Sequence, residues 1–292
     1  MMNAYLFPGQ GTQFPGMGKE LFEKSKLGQE YFKRANDILG FSITDVMFEA
    51  SAEDLKQTKF AQLAIFLHSF ILTRTLGNDF KPDMVAGHSL GEISALTVSG
   101  ALDFELALML ISKRASIMQK VCEIENTGMA VVVGLYDVIV KDICDQIDGV
   151  VVPANYNTLN QVVISGERNA LNEACEKLRP GALAVIDLPV NGAFHSPFMN
   201  PIIEEFRLTI AETRFKKPMC PIYQNVTARP TENIELIKEN LINQLTQPVM
   251  WRHTILHMIE DGATKFTEIG PGNFLRGLVR KIDKNVNTNG IS

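Results

Sequence analysis

A short apolar run, Pro82-Asp83-Met84-Val85-Ala86, passes directly into Gly87-His88-Ser89-Leu90-Gly91-Glu92, and a helix of small residues, Ile93 to Val98, follows at once. A serine with a glycine two positions to either side, set between a strand and a helix, predicts a nucleophile elbow. The backbone there turns too tightly for flanking side chains and leaves the hydroxyl exposed at the top of a sheet. Helices packed on a sheet of this kind make an α/β fold. The start of the following helix would also direct the Leu90 amide and the helix dipole toward an anion formed on a bound carbonyl.

The remaining pattern places that elbow in a larger frame. Ala4 to Phe7 reads as a strand ending in Pro8-Gly9-Gln10-Gly11, with a helical pattern from Leu21 to Leu39. Phe60 to Leu76 is apolar on most of its surface and reads as a deeply buried helix beginning at Thr58 or Phe60; another runs from Asp103, a suitable N-cap, to about Cys122. From Met129 to Leu188 the order is strand, helix, strand, strand, helix, strand, the ferredoxin-like arrangement. It closes on itself between Gly128 and Pro189, so it is expected to be a small domain inserted into the larger one. The boundaries expected are 1–127 and 191–283 for the two parts of the large domain, 128–190 for the insertion and 284–292 for a polar tail. Helices are expected at 197–212, 234–244, 249–259 and 274–282, an extended segment at 222–226 and a short strand at 265–269.

Composition narrows the class of function. At 292 residues with 46% hydrophobic side chains, the chain can fill one large core or a core plus a small domain. A net charge of −5 argues against a general electrostatic grip on nucleic acid. The opening MMNAYLFPGQG has no basic segment before its few apolar residues, so it is not expected to be a signal peptide, and no apolar run reaches the roughly 20 residues of a membrane span. Cys122, Cys144, Cys175 and Cys220 are too widely spaced for a redox pair or compact zinc motif. A soluble protein of the cytoplasm with reduced thiols is the expectation.

A serine hydroxyl needs a base. Among five histidines, His88 on a tight elbow points elsewhere and His68 lies in the apolar helix; His253 and His257 are four apart but lack the glutamate and third ligand of a metal site. His195, in the irregular loop Asn191-Gly192-Ala193-Phe194-His195-Ser196-Pro197, is placed to approach the elbow from another segment. Its orienting partner is open: Asp187 is the nearest acid but sits within a strand, and an amide or a backbone carbonyl would serve instead. Gly9-Gln10-Gly11 lacks the pattern of a phosphate loop, whereas the Gln10 backbone amide at a strand end suits an oxyanion hole.

Seven ordered segments together resemble the malonyl-CoA:acyl carrier protein transacylases of bacterial type II fatty acid synthesis. They are Gly9 to Gln13 with Gly16-Met17-Gly18; Gly87 to Glu92; Lys113-Arg114 with Met118-Gln119; Asn155 and Asn157 before Gln161 to Gly166; Gly192 to Ser196; Gln244 with Pro248-Val249 and Trp251; and Glu268 to Gly272. The resemblance runs from about residue 3 to residue 283. It implies an α/β-hydrolase-like large domain with an inserted ferredoxin-like domain and the active site in the gorge between them. It implies Ser89 as the nucleophile that carries malonate as an ester and His195 as its base. Gln10 and Leu90 would supply the oxyanion amides, and a main-chain carbonyl at Gln244 would orient the histidine in place of an acid. Arg114 would hold the malonyl carboxylate. The substrates implied are malonyl-CoA and a holo acyl carrier protein, with no metal, bound cofactor, nucleic acid or membrane, and the enzyme is expected to be a monomer. A trans-acting polyketide acyltransferase shares these motifs, and a thioesterase shares the elbow. Arg276, Arg280, Lys281 and Lys284, with Lys216 and Lys217, are the basic residues expected to meet an acidic carrier protein.

Overall fold

The structure is a computed structural model and describes residues 2–190 and 192–292. Its strands, in chain order, are β1 (Met2–Phe7), β2 (Met84–Gly87), β3 (Thr127–Val133), β4 (Val151–Thr158), β5 (Gln161–Glu167), β6 (Ala184–Asp187), β7 (Ile222–Tyr223), β8 (Pro230–Thr231), β9 (Ala263–Ile269) and β10 (Asn287–Ile291). They form two sheets. The large one runs β10-β9-β1-β2-β7-β8 and is parallel except for β8. The small one is antiparallel in the order β4-β5-β3-β6, with helices Asp137–Cys144 and Arg168–Leu178 joining its strands, which is the ferredoxin-like topology.

The central strands β1 and β2 are apolar because helices cover both faces. Helix Thr58–Thr75 is buried from Ala61 to Thr73 and packs against helix Phe104–Ile124, which gives the apolar surface read from the sequence its cause. All eight residues of helix Gly91–Val98 are buried, and their small side chains let it lie close on β1 and β2. The small sheet has its own apolar core, including Val132, Val140, Val162, Ile164 and Leu171. Two backbone hydrogen bonds, Val249 N to Ala154 O (2.8 Å) and Tyr156 N to Val249 O (2.9 Å), tie β4 to the large unit.

Several expectations need correction. The segment expected as a polar tail is β10, in register with β9 from Asn287↔Lys265 to Ile291↔Ile269. An edge strand gains its place through backbone pairing, so polar Asn-Thr-Asn-Gly side chains hide it. The helix expected from 21 to 39 is two, Lys19–Lys24 and Lys26–Leu39, because Ser25 is extended and caps the second by accepting from Gly28 N (3.0 Å). Helices Ile43–Glu49 and Ala52–Leu55 were not expected. The helix expected at 197–212 opens as a 3-10 turn, Pro197–Ile202, because Pro201 donates no backbone bond, and becomes α-helical only from Ile203 to Glu212. Asp103 precedes its helix but does not cap it; the carboxylate bonds Lys216 Nζ at 2.6 Å.

Candidate active site

The elbow is built by close approach. A Cβ on Gly87 would overlap the Gly91 carbonyl, and one on Gly91 would overlap the carbonyl of Phe7 at the end of β1. Ser89, between them, is held at φ +51°, a conformation that costs a non-glycine residue about 1–3 kcal/mol and persists only where its surroundings impose it. Ser89 keeps partial solvent access while Gly87, His88, Leu90 and Gly91 are buried. His195 is likewise at φ +57° and buried.

These two strained residues meet. Ser89 Oγ lies 2.8 Å from His195 Nε2, and His195 Nδ1 lies 2.7 Å from the Gln244 carbonyl. A carbonyl only accepts, so Nδ1 carries the proton and Nε2 is free to accept from the serine hydroxyl. Burial first, and then the Arg114 charge, holds the imidazole at a pKa of about 3, so it is neutral in the free protein. The question left open at this position is answered by a backbone carbonyl. Asp187 lies elsewhere, exposed and 3.7 Å from Arg168.

Arg114 sits behind the serine and is 1% exposed. Nη1 donates to Gln62 Oε1 (2.6 Å), and Nη2 donates to Gln244 Oε1 (2.9 Å) and Ser89 Oγ (3.3 Å). No carboxylate lies within ion-pair distance of it among the described residues. Burial lowers its pKa to about 10, with Glu92 acting the other way. The guanidinium is thus a buried charge held chiefly by the neutral amides of Gln62 and Gln244.

A cavity of about 360 Å³ opens in front of Ser89, walled by Gln10, Gln62 and Leu90 from the large unit and by Met129, Asn155 and Val163 from the small one. Gln10 and Leu90 both line this cavity, and their backbone amides have no hydrogen-bond partner among the described residues. His88 turns away from the serine, as expected: Nε2 is 3.0 Å from Asn157 Oδ1, and the ring packs against Trp251 and Phe274. Burial depresses its pKa to about 4. His257 Nδ1 is bonded to the Ala228 carbonyl at 2.7 Å, and among the described residues no group of three His, Cys, Asp or Glu could hold a metal.

Sequence reasoning missed Gln62, Glu92 and Asn225. A lone amide in an otherwise apolar helix was a usable signal for Gln62, as was an acid in an apolar small-residue helix for Glu92. Glu92 is fully buried; it accepts from Asn225 N (2.6 Å) and Gln224 Nε2 (3.0 Å), and burial lifts its pKa to about 7. No local pattern marks Asn225.

A serine–histidine pair on an α/β elbow, with two free amides and a buried cation, defines a serine acyltransferase or hydrolase. The family model of the acyl transferase domain matches residues 4–288. The malonyl CoA-acyl carrier protein transacylase of Bacillus subtilis is 37% identical over 99% of this chain and 93% of its own length. The polyketide biosynthesis malonyl CoA-acyl carrier protein transacylase of the same organism is 38% identical over 97% and 98%. The solved structure of the malonyl CoA-acyl carrier protein transacylase from Coxiella burnetii superposes with a TM-score of 0.96 at 33% identity, covering 100% of this chain and 94% of that one. The chain belongs to the malonyl CoA-acyl carrier protein transacylase family.

Proposed function

We propose that this protein moves a malonyl group from malonyl-CoA to the phosphopantetheine thiol of a holo acyl carrier protein through an ester on Ser89. In the first half-reaction Ser89 Oγ gives its proton to His195 Nε2 and attacks the thioester carbon. The amides of Gln10 and Leu90 receive the charge that develops on the carbonyl oxygen. The C–S bond breaks, and CoA leaves as the thiol with the proton from His195. In the second half the carrier thiol gives its proton to His195 and attacks the ester carbon, and Ser89 recovers the proton as its bond to the acyl group breaks. Gln244 keeps the imidazole in the tautomer that both steps need.

The single observation that carries the malonyl reading is Arg114, buried 3.3 Å from Ser89 Oγ with no carboxylate in ion-pair contact among the described residues. A malonyl carboxylate would pair with it and cancel a charge that disfavours protonated His195, so the substrate that fits would also make the base stronger.

The carrier surface we favour is the helix Phe274–Ile282. Lys281 Nζ bonds Gln161 Oε1 (3.2 Å) on the cavity rim, and Arg276, Arg280, Lys281 and Lys284 have no ion-pair partner among the described residues. Lys216 and Lys217 suit the role less, since Asp103 and Glu232 already neutralise them. No helix of the described residues is long and apolar enough to cross a membrane. Four free cysteines support a site of action in the cytoplasm.

Fatty acid synthesis is the pathway proposed. Transfer to a polyketide carrier is the second reading, favoured by the 38% identity to a polyketide relative. The test is intact mass after malonyl-CoA and again after holo carrier protein. One malonyl group should map to Ser89 and then pass to the carrier, and Ser89→Ala should carry none. A label on another residue would overturn the mechanism. A label lost to water faster than to either type of carrier would make the protein a thioesterase.

A further inference from the structure

Strand β7 ends after two residues, but its pairing with β2 does not. Backbone pairs Val85↔Ile222 and Ala86↔Tyr223 are followed, two residues on, by the carboxamide of Asn225. Its Nδ2 donates to the Gly87 carbonyl at 2.6 Å, and its Oδ1 accepts from the Ser89 amide at 2.7 Å. One side chain thus spans the two backbone groups that flank His88, as a neighbouring strand would, at the point where the chain turns into φ +51°.

The carboxamide is itself fixed from behind. Asn225 N donates to Glu92 Oε2 (2.6 Å), and its carbonyl accepts from Met250 N (2.9 Å). Glu92 also accepts from Gln224 Nε2, whose Oε1 accepts from Asn240 Nδ2 at 2.8 Å. Gln244 Nε2 reaches both the Ser89 carbonyl (3.2 Å) and Asn225 Oδ1 (3.3 Å). Asn225 and Glu92 are fully buried, and among the described residues neither is hydrogen-bonded to the His195 ring, whose partners are Ser89 and Gln244.

We propose that Asn225, anchored by the Glu92 carboxylate, is the positioning residue of the nucleophile: it imposes the elbow conformation of Ser89 and occupies the Ser89 amide, so that the neighbouring Leu90 amide faces the oxyanion. The inference rests on Ser89 being acylated, as proposed above. It adds two residues whose part is to hold the serine, with no contact to substrate.

The chemistry of a carboxamide supplies a specific test in Asn225→Asp. An ionised aspartate would set an oxygen lone pair against the Gly87 carbonyl, whereas the protonated acid donates to that carbonyl and accepts from Ser89 N as the amide does. The titratable and charged groups around it are Glu92, Arg114, His88 and His195, and both imidazoles stay neutral at mildly acidic pH. At pH 8 the first-order rate of Ser89 acylation at saturating malonyl-CoA should fall about thirtyfold or more, with KM within about twofold, the effect of exchanging a buried hydrogen bond for a repulsion. On lowering the pH toward 5.5 the variant's own rate should rise, while the wild type's, whose Glu92 carboxyl with a pKa of about 7 protonates over this range, should not. The melting temperature of the variant, followed at both pH values, separates a recovery of the rate from a recovery of the folded fraction. Glu92→Gln, which turns an amide donor toward Asn225 N–H, should lower the same rate about tenfold at pH 8 at unchanged KM, and its own rate should not rise as the pH falls to 5.5.

Wild-type protein, run alongside, separates the two ideas. If it forms no malonyl–Ser89 ester, the proposed function fails; if it does and Asn225→Asp acylates at the wild-type rate across the pH range, or loses rate equally at every pH, the positioning role fails. Should Asn225→Asp not fold, Glu92→Gln decides: an unchanged acylation rate overturns the proposal and a lower one at constant KM supports it.

Discussion

The elbow of the large unit and the core of the small one solve opposite problems within one chain. Around Ser89 the interior is polar: Glu92, Arg114, His195, Asn225 and Gln244 are almost completely buried, two residues are held at positive φ, and each strained or charged group depends on partners from distant segments. Between β3, β5 and the helices Asp137–Cys144 and Arg168–Leu178 the interior is apolar, with Val132, Val140, Ile164 and Leu171 excluding water without a buried charge. The first region gives up packing energy to hold a reactive geometry. The second is an ordinary core whose outer sheet face forms a wall of the gorge. On β5 this division is visible residue by residue, with Val162 and Ile164 in the core and Gln161 and Val163 lining the cavity.

Removing a member of the polar region should do the most damage to function. His195→Ala should slow acylation by about a hundredfold or more, the range for loss of a general base, with the melting temperature as a control for folding. Retention of a wild-type rate would mean that the short Ser89–His195 contact is not used.

Arg114→Ala should lower kcat/KM for malonyl-CoA by about a hundredfold, consistent with the 2–5 kcal/mol cost of truncating a buried charged partner, while leaving acetyl-CoA transfer equal or better. The ratio of the two specificity constants is the measurement. Equal losses on both substrates would make Arg114 a support of the gorge, not a reader of the carboxylate.

In the small core the pattern should invert. Ile164→Ala should cost about 2–5 kcal/mol of stability by denaturant titration yet change acylation at 25 °C by no more than about twofold, because the deleted atoms face away from the cavity. A large loss of rate in a still-folded protein would show that the two regions are not separable.

Acid should also distinguish them. His68 and His88 at about 4 and His195 at about 3 have folded pKa values below the unfolded 6.5, so their stabilisation is present above pH 6.5 and is lost as pH falls through the folded values. Glu92, raised to about 7, acts in the opposite sense: its burial is least costly below the ordinary carboxylate range and becomes a penalty as pH rises through 7. Three imidazoles outweigh two buried carboxyls, Glu92 and Glu268, the latter also raised by burial, and residues 127–187 contain no histidine. Hydrogen exchange at pH 4.5 against pH 7, corrected for intrinsic rates, should show protection falling around Ser89 more than in β3 and β5. A uniform fall would contradict this.

The smallest effect belongs to Asp187→Asn. Exposed and only 3.7 Å from Arg168, this acid should be worth under about 1 kcal/mol, and its removal should leave kcat unchanged. A loss as severe as that of His195→Ala would restore an acid to the catalytic arrangement.

The elbow was legible in the sequence because its requirements are local: two glycines, a serine and a flanking strand and helix lie within about a dozen residues, and steric exclusion acts at that range. The same holds for the alternation that marked the ferredoxin-like unit and for the apolar surface of helix Thr58–Thr75. His195 could be singled out by elimination, and the Leu90 and Gln10 amides by their places at a helix start and a strand end, while Arg114 and Gln244 drew their roles from a family resemblance; the fold then brought Gln244 to His195 and Arg114 to Ser89. Strand β10 was not legible, since an edge strand is held by backbone bonds that leave polar side chains free. Nor was the bracket made by Asn225, 136 residues from the serine it holds. Local pattern records what a segment must do with its own backbone and with water; which amide finishes a sheet, and which carbonyl turns an imidazole, is settled only when distant segments pack and every buried donor has to find an acceptor.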